Sequence, residues 1–252
     1  MRECGMLLPV FSLPSRYGIG SFSREAYEFV DILAQAGQKY WQILPLGPTG
    51  YGDSPYQSFS AFAGNPLLID LEQLVEEGLL TEEACLETDF GDDLRTIDYD
   101  KVHAGKKSLF KIAYENWKEK ENLDSPEKIH EKARQGLMED TVEYCFYMAL
   151  REAFDDKEWT KWEEGIRLRR PEALDHYRRE LADEIGFHEF LQLTFTDQWT
   201  RLRNYANEKG IRMIGDIPIY VSFDSADAWA HPEMFQFEPD GTPKAVAGCP
   251  PD

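Results

Sequence analysis

A strand, a helix and a second strand are predicted within the first 46 residues, and this order constrains the fold more than any other feature. Apolar residues in a short run at 6–11 are followed by others spaced three and four positions apart, at Phe22, Ala26, Phe29, Val30 and Leu33. That spacing predicts one helical face, with Ser21 or Ser23 as its cap and Gly37 at its left-handed end. A second apolar run follows at 40–46. Strand–helix–strand is the pattern of a parallel sheet, so we predict an α/β fold.

The segment 67–186 has a different character, because helical patterning dominates and the density of charge rises. Asp70 with Gln73, and Ser125 with the Pro126 that follows it, predict helix starts. Two apolar stripes are present, one at Val102, Leu109, Phe110, Ala113 and Trp117, the other at Val142, Cys145, Met148 and Ala149. We interpret both stripes as core packing in preference to a ligand-binding face.

The strand–helix rhythm resumes after this segment, with a long helix predicted at 187–210 and a third strand at 211–221. We therefore predict three parts: two strands with the helix between them and a following loop (1–66), a mostly helical insertion (67–186), and a helix, a third strand and a following loop (187–252). Three parallel strands do not complete a sheet, so we expect the chain to be a piece of a larger fold.

Charge and cysteine usage exclude several classes of function. The 47 acidic side chains outnumber the 27 basic ones and give a net charge of −20, which disfavours nucleic acids and anionic membranes as partners. No apolar run approaches the roughly 20 residues of a membrane span, and the amino terminus is a poor secretory signal. The scattered cysteines are Cys4, Cys85, Cys145 and Cys249. They lack zinc-ligand spacing, so we expect free thiols in the cytoplasm and no metal.

The segment 47–58 is the first candidate site, because it leaves the carboxyl end of a predicted parallel strand, where α/β proteins bind ligands. Tyr51 and Tyr56 offer aromatic faces that can stack on pyranose rings. Hydrogen bonds to sugar hydroxyls could come from Asp53, Ser54, Tyr56 and Gln57. The alternative is a structural Gly/Pro turn with surface tyrosines, and residue chemistry alone leaves both open.

Asp216 is the second candidate, because it follows the third predicted strand at the edge of an apolar interior. Burial of its charge costs free energy unless donors are present, which favours function over helix capping or a salt bridge. His231 could act as a base, although a single His before Pro is more often structural. The chain contains no GxSxG nucleophile elbow and no phosphate-binding glycine motif.

Several blocks, in order along the whole chain, resemble the signatures of amylomaltases, the 4-α-glucanotransferases also called disproportionating enzymes. The blocks are GIGSF at 18–22, WQILPLGPT at 41–49, the stretch 51–66 ending in SAFAGNP, GDIPIYV at 215–221, WAHP at 229–232 and VAGCPPD at 246–252. The uninterrupted segment 47–66 is the most specific of these.

The resemblance implies a (β/α)8 barrel with a helical subdomain inserted after the second strand. Residues 1–66 would then supply barrel strands 1 and 2 with a substrate loop, 67–186 the inserted helical subdomain, and 187–252 a barrel helix, strand 3 and the start of an active-site loop. On this expectation the chain stops before the barrel closes. It also implies a retaining double displacement, in which one carboxylate attacks the anomeric carbon and a second carboxyl group protonates the leaving sugar. The implied substrates are α-1,4-glucans, with glucose or a maltooligosaccharide as acceptor. No metal or organic cofactor is implied.

By the same resemblance, Tyr56 lines the subsite at the cleaved bond and Ser54 is a neighbouring sugar contact. Asp216 supports the substrate and the catalytic groups, Asp252 approaches the acceptor side, and Tyr51 belongs to an outer glucan-binding groove. The family's nucleophile lies in an Arg-Ile-Asp-His-like block after the fourth strand, and this chain contains no such block. No catalytic carboxylate is therefore expected within it, and both are expected beyond Asp252.

Three functional hypotheses stay open at this point. The chain is the front part of a glucanotransferase, a maltooligosaccharide-binding fragment without activity, or part of an α-1,4-glucan hydrolase of the α-amylase type. The segment 47–58 favours the transferase over ordinary α-amylases.

Overall fold

The fold is built around three short parallel strands, seen in a computed structural model that describes residues 2–93, 95–238 and 241–245, with only the backbone of Tyr51. The strands are β1 (Gly5–Leu7), β2 (Tyr40–Gln42) and β3 (Arg212–Ile214), in the spatial order β1-β2-β3. Because β2 lies in the centre, β1 and β3 are both edge strands. This arrangement confirms the predicted α/β class and its parallel pairing.

The pairing register brings three residues side by side in each row of the sheet. Met6, Trp41 and Met213 form one row, and Trp41 is fully buried within it. Leu7, Gln42 and Ile214 form the next row. Leu7 and Ile214 are exposed, so their side of the sheet is open, whereas the other side is covered at Trp41 of the central strand and leaves Met6 at the edge 49% exposed.

Ten α-helices are found among the described residues. They are α1 (Arg24–Gln35), α2 (Leu71–Glu76), α3 (Glu82–Glu87), α4 (Tyr99–Lys120), α5 (Pro126–Ala133), α6 (Glu139–Ala153), α7 (Glu164–Arg167), α8 (Pro171–Glu180), α9 (Ala182–Glu208) and α10 (Ala226–Ala230). Short 3₁₀ helices occupy Val10–Ser12, Tyr51–Asp53, Pro66–Leu68, Trp159–Lys161 and Pro232–Met234. No described helix combines the length and the apolar character needed to cross a lipid bilayer.

Most of the predicted helix ends are confirmed. Asp70 caps α2 by accepting a hydrogen bond from the amide of Gln73, and Ser125 caps α5 with Pro126 in the first turn. Gly37 has the left-handed φ of 72° predicted for it. Ser23 occupies the cap position of α1, but its hydroxyl donates to Glu25 Oε2 at 2.6 Å and makes no capping bond.

Two clusters of buried apolar residues form the core. The first joins the covered side of the sheet to α1, α4, α5 and α9, and it contains the whole predicted stripe of α4. The second joins α6, α7 and α10. In α6, Cys145 and Ala149 are fully buried, whereas Val142 and Met148 are half-buried. Both stripes are therefore core, as predicted.

The third strand is shorter than the sequence predicted, because β3 ends at Ile214 and residues 215–221 are irregular. Among the described residues, β3 has a strand neighbour only on the β2 side, so nothing extends its ladder. Pro218 also lacks the amide proton that a ladder requires. The preceding helix begins earlier than predicted, since α9 starts at Ala182.

Candidate functional site

The segment that follows β2, here called the β2 loop (residues 43–66), folds into a compact lobe. Thr49 and Ser58 form an antiparallel bridge, and the amide of Gly50 donates to the carbonyl of Gln57 at 2.7 Å. The buried hydroxyl of Ser58 lies 2.8 Å from the Pro48 carbonyl and 2.6 Å from that of Ser60. These bonds give the tip of the loop a defined shape without a regular strand.

Two residues at the tip adopt left-handed backbone conformations. Gly52 has a φ of 75° and Asp53 a φ of 53°. Glycine adopts this region without strain, and aspartate tolerates it better than most residues. Oδ1 of Asp53 lies 3.0 Å from Nε2 of His103 on α4, within the distance of a hydrogen bond or an ion pair. Its carboxylate therefore ties the tip to α4, a contact that the sequence did not suggest.

Tyr56 and Asp216 come together although 160 positions separate them in the chain. The Tyr56 hydroxyl donates to Oδ2 of Asp216 at 2.6 Å, and Oδ1 of Asp216 accepts from the amide of Ile217 at 2.9 Å. The hydrogen bond to the carboxylate raises the pKa of Tyr56, because it favours the protonated phenol. Tyr56 is 47% exposed, so its ring remains accessible to a ligand.

Ser54 lies beside this pair in sequence and shapes the turn that carries Tyr56. Its Oγ accepts from the amide of Tyr56 at 3.3 Å, and its carbonyl accepts from the amide of Gln57 at 3.1 Å. The structure thus brings Ser54, Tyr56 and Asp216 to one edge of the sheet. Asp216 is half-buried two residues beyond β3, so the expected buried edge position is only partly reached. Asp252 and the side chain of Tyr51 lie outside the described residues.

Two glutamines of α9, which the sequence analysis did not identify, hold the end of the β2 loop and the cap of α2 that follows it. Gln192 accepts from the Gly64 amide at 2.8 Å and donates to the Gly64 carbonyl at 2.9 Å. Gln198 makes the same paired contacts with Asp70, at 2.8 and 3.2 Å. Both glutamines are 1% exposed. The only signal for these contacts in the sequence was that two polar residues lie on a helix face that is otherwise buried.

The segment that follows β3, here called the β3 loop (residues 215–225), leads into α10, and the first two residues of that helix are bonded to the β2 loop. The amide of Ala226 donates to the Phe59 carbonyl at 2.8 Å, and the amide of Ala61 donates to Oδ2 of Asp227 at 3.1 Å. Burial raises the pKa of Asp227. His231 lies 3.1 Å from Oδ1 of Asp140 on α6, which favours the structural interpretation of this histidine.

A cavity of about 460 Å³ lies between the β2 loop and helices α4, α6 and α9. Its lining includes Phe59, Phe110, Tyr144, Glu152 and His188, but neither Tyr56 nor Asp216, so it is separate from the site at the strand ends. Within the described part of the chain, no group of three or more His, Cys, Asp or Glu side chains is arranged to hold a metal ion.

Comparison of the sequence with known families gives a match over residues 8–252 to the family described as 4-alpha-glucanotransferase. A 4-alpha-glucanotransferase of Streptococcus pneumoniae is 46% identical over 252 residues, which is all of this chain and 49% of the relative. That of Thermus thermophilus is 45% identical and is likewise covered to 49%. The chain thus spans about half the length of the curated relatives it matches.

Comparison of the fold with solved structures gives the same assignment. An amylomaltase from Streptococcus agalactiae, solved in complex with acarbose, superposes with a TM-score of 0.91 at 41% identity, over 100% of this chain and 50% of that one. An amylomaltase from Corynebacterium glutamicum has a TM-score of 0.64 at 20% identity, which shows likeness of fold alone. The resemblance noted in the motifs is confirmed by these matches.

Proposed function

This chain belongs to the 4-alpha-glucanotransferase family, and we propose that the protein containing it transfers α-1,4-glucan segments to the 4-hydroxyl of glucose or a maltooligosaccharide. The contact between Tyr56 and Asp216 carries the proposal for the site. It joins the segments that follow two adjacent parallel strands and leaves an aromatic ring exposed beside a carboxylate. An aromatic face and hydrogen-bonding groups at one sheet edge suit a pyranose ring.

The chemistry proposed is a retaining double displacement. A carboxylate attacks the anomeric carbon while a second carboxyl group, about 5–5.5 Å away, protonates the departing sugar oxygen. The 4-hydroxyl oxygen of an acceptor glucan then bonds to the anomeric carbon and displaces the enzyme carboxylate. The second carboxyl group takes the proton of that hydroxyl. Both catalytic carboxylates are expected beyond Asp252. The described chain contributes one wall of the sugar site.

Each wall residue has a proposed role. The Tyr56 ring stacks on the sugar next to the cleaved bond, and Asp216 orients the phenol and accepts from sugar hydroxyls. Ser54 supplies a further hydroxyl contact. Asp252 on the acceptor side and Tyr51 in an outer glucan-binding groove complete the set.

For the architecture, we propose that the three strands are the first strands of a (β/α)8 barrel. Residues 1–66 then supply barrel strands 1 and 2, 67–186 form an inserted helical subdomain, and 187–252 supply the helix and strand that follow. Support comes from the parallel order of β1, β2 and β3, from α1 on the covered side of the sheet, and from the open side that a closed barrel would bury.

The test is disproportionation of maltotriose by the full-length protein. We expect Asp216→Asn and Tyr56→Ala each to lower turnover at least about tenfold, on the order of 1.4 kcal/mol. Asp197→Asn, on the exposed surface of α9, is the matched control and should leave turnover unchanged. Wild-type rates in both site variants would remove these residues from the site.

Products distinguish the alternatives. A transferase converts maltotriose into glucose and longer maltodextrins, whereas a hydrolase gives only shorter sugars. The 252-residue chain alone is expected to do neither, because no catalytic carboxylate is assigned to it. If the full-length protein bound maltotriose in calorimetry without converting it, the binding-fragment hypothesis would replace the transferase.

A further inference from the structure

We propose that Arg151, near the end of α6, is a positioning residue that fixes the β2 loop and the β3 loop relative to each other. It thereby sets the contact between Tyr56 and Asp216. The proposal rests on the proposed function for its meaning in catalysis. The geometry of the contacts does not depend on that function, because Arg151 contacts both loops. Arg151 lies in the segment 67–186, here called the helical region.

The guanidinium of Arg151 touches one residue of each loop. Its central carbon lies 4.5 Å from the ring centroid of Phe59 in the β2 loop, within the range of a cation–π contact. One terminal nitrogen forms an ion pair with Oδ2 of Asp224 in the β3 loop. The other donates to the Asp156 carbonyl at 3.0 Å, which keeps the group from rotating. The side chain is only 11% exposed, so water screens these contacts weakly.

Asp224 is anchored entirely to the helical region. Besides Arg151, its carboxylate accepts from the hydroxyl of Tyr147 at 2.7 Å and from the amide of Trp159 at 3.2 Å. The indole of Trp159 donates to the Phe223 carbonyl at 3.0 Å. Three residues on two elements, α6 and the 3₁₀ helix Trp159–Lys161, therefore fix this end of the β3 loop, and Arg151 is the one that also reaches Phe59.

The part of the β3 loop between Asp216 and Asp224 depends on its two ends. Residues 217–223 make no backbone–backbone hydrogen bond to any other described residue. Ile217 and Ile219 are 80% and 89% exposed, so apolar packing is limited to the end next to Asp224, where the Phe223 ring lies 5.7 Å from that of Trp159. One end is held by Tyr56 through Asp216, and the other by Arg151 through Asp224, next to the backbone bond from the Ala226 amide to the Phe59 carbonyl.

The two loops are thus connected on both sides of this segment. Phe59 follows Tyr56 by three positions, and the Ser58 hydroxyl bonds keep the intervening chain folded. A displacement of Phe59 relative to Asp224 is therefore transmitted to the Tyr56 hydroxyl. Arg151 has no assigned contact with a substrate, so its effect on transfer is exerted through Tyr56 and Asp216.

The pKa of Tyr56 in the full-length protein tests the proposal, read from the NMR shift of ¹³Cζ-labelled tyrosine and assigned with Tyr56→Phe. Because the bond to Asp216 raises this pKa, Arg151→Met should shift it back toward the ordinary value. We also expect kcat/KM for maltotriose to fall about tenfold. Arg151→Lys keeps the positive charge and most of the side-chain length but loses the planar guanidinium group. The Tyr56 pKa and kcat/KM of this variant should therefore lie between those of wild type and of Arg151→Met.

Arg178→Met is the matched control, since Arg178 also pairs with a carboxylate, Glu143, and lies 5.0 Å from an aromatic ring, Phe146, both within the helical region. It should leave the Tyr56 pKa unchanged. If Arg151→Met fails to fold, Asp224→Asn removes the charge pair while an amide oxygen can still accept from Tyr147 and Trp159.

An unchanged Tyr56 pKa in a folded variant of either kind would overturn the proposal, whatever its activity. Absence of glucan transfer in the wild type would instead overturn the proposed function, and the NMR readout would still report on the contact between the loops. The two failures are therefore distinguishable.

Discussion

At the residue scale, Gly64 lies where no side chain fits. A Cβ built on it would stand 2.2 Å from two ring carbons of Phe195 on α9, and its peptide is held on both sides by Gln192. Because residue 64 has no side chain, its backbone lies directly against the Phe195 ring, and the β2 loop packs closely on α9 there. A residue in the most specific sequence block thus has a packing explanation that needs no contact with a ligand.

We expect Gly64→Ala to lower the free energy of unfolding by about 1–3 kcal/mol, because either Phe195 or the loop must move. Denaturant titration of the full-length protein measures this. Gly215→Ala is the control, since a Cβ there meets no atom within 4 Å. Equal stability of the two variants would mean that the close contact at Gly64 is relieved without cost.

At the scale of elements, Glu152 connects three helices. It lies on α6, 3.1 Å from Nζ of Lys107 on α4 and 3.2 Å from Nε2 of His188 on α9. The imidazole lies near the carboxylate but is not aligned for a good hydrogen bond, since Nε2 has no partner of acceptable geometry. Burial alone would raise the pKa of Glu152, but the nearby His188 and Lys107 outweigh it and lower the pKa to about 2.

A pH dependence of stability follows from this shift. The folded pKa lies below the ordinary value of 4.5, so the carboxylate stabilises the fold above pH 4.5, and the contribution is lost as the pH falls toward 2. Its size is on the order of 3 kcal/mol at most. We expect the stability difference between wild type and Glu152→Gln to shrink over that window, while the exposed Glu158→Gln control shows no such trend. A constant difference from pH 7 to 3, measured by urea unfolding, would contradict the assignment.

At the scale of the whole molecule, one side of the sheet and both of its edges lack a partner among the described residues. Leu7 and Ile214 are exposed on the open side, and Ile217 and Ile219 project beyond β3. Unpaired edges of parallel strands beside exposed apolar side chains favour pairing with other chains. In the proposed barrel, further strands would cover this surface.

The 252-residue chain alone is therefore expected to self-associate and to unfold with a midpoint that depends on concentration. Ile219→Asp should weaken association in sedimentation velocity, because it places a charge on the surface that pairs. Ile32→Asp, at an exposed position on α1, is the control and should not. A sharp, concentration-independent transition from a monomer would refute this expectation.

Local features were determined by the sequence itself. The buried face of α4, the caps at Asp70 and Ser125, and the left-handed Gly37 were all predicted correctly. Each depends on residues within a few positions of one another, so periodicity and hydrogen-bonding chemistry suffice. The family, too, was evident from ordered blocks of residues along the chain.

Contacts between distant residues were decided only by the tertiary structure. Gln192 meets Gly64 across 128 positions, Tyr56 meets Asp216 across 160, and Arg151 meets Asp224 across 73. No local propensity encodes such pairs, because they depend on how the elements pack, with α9 against the sheet and α6 against α9. The premature end of β3 has the same origin, since a strand continues only where a neighbour pairs with it. The sequence therefore specified the parts of the candidate site, and packing of the helices on the sheet specified its geometry.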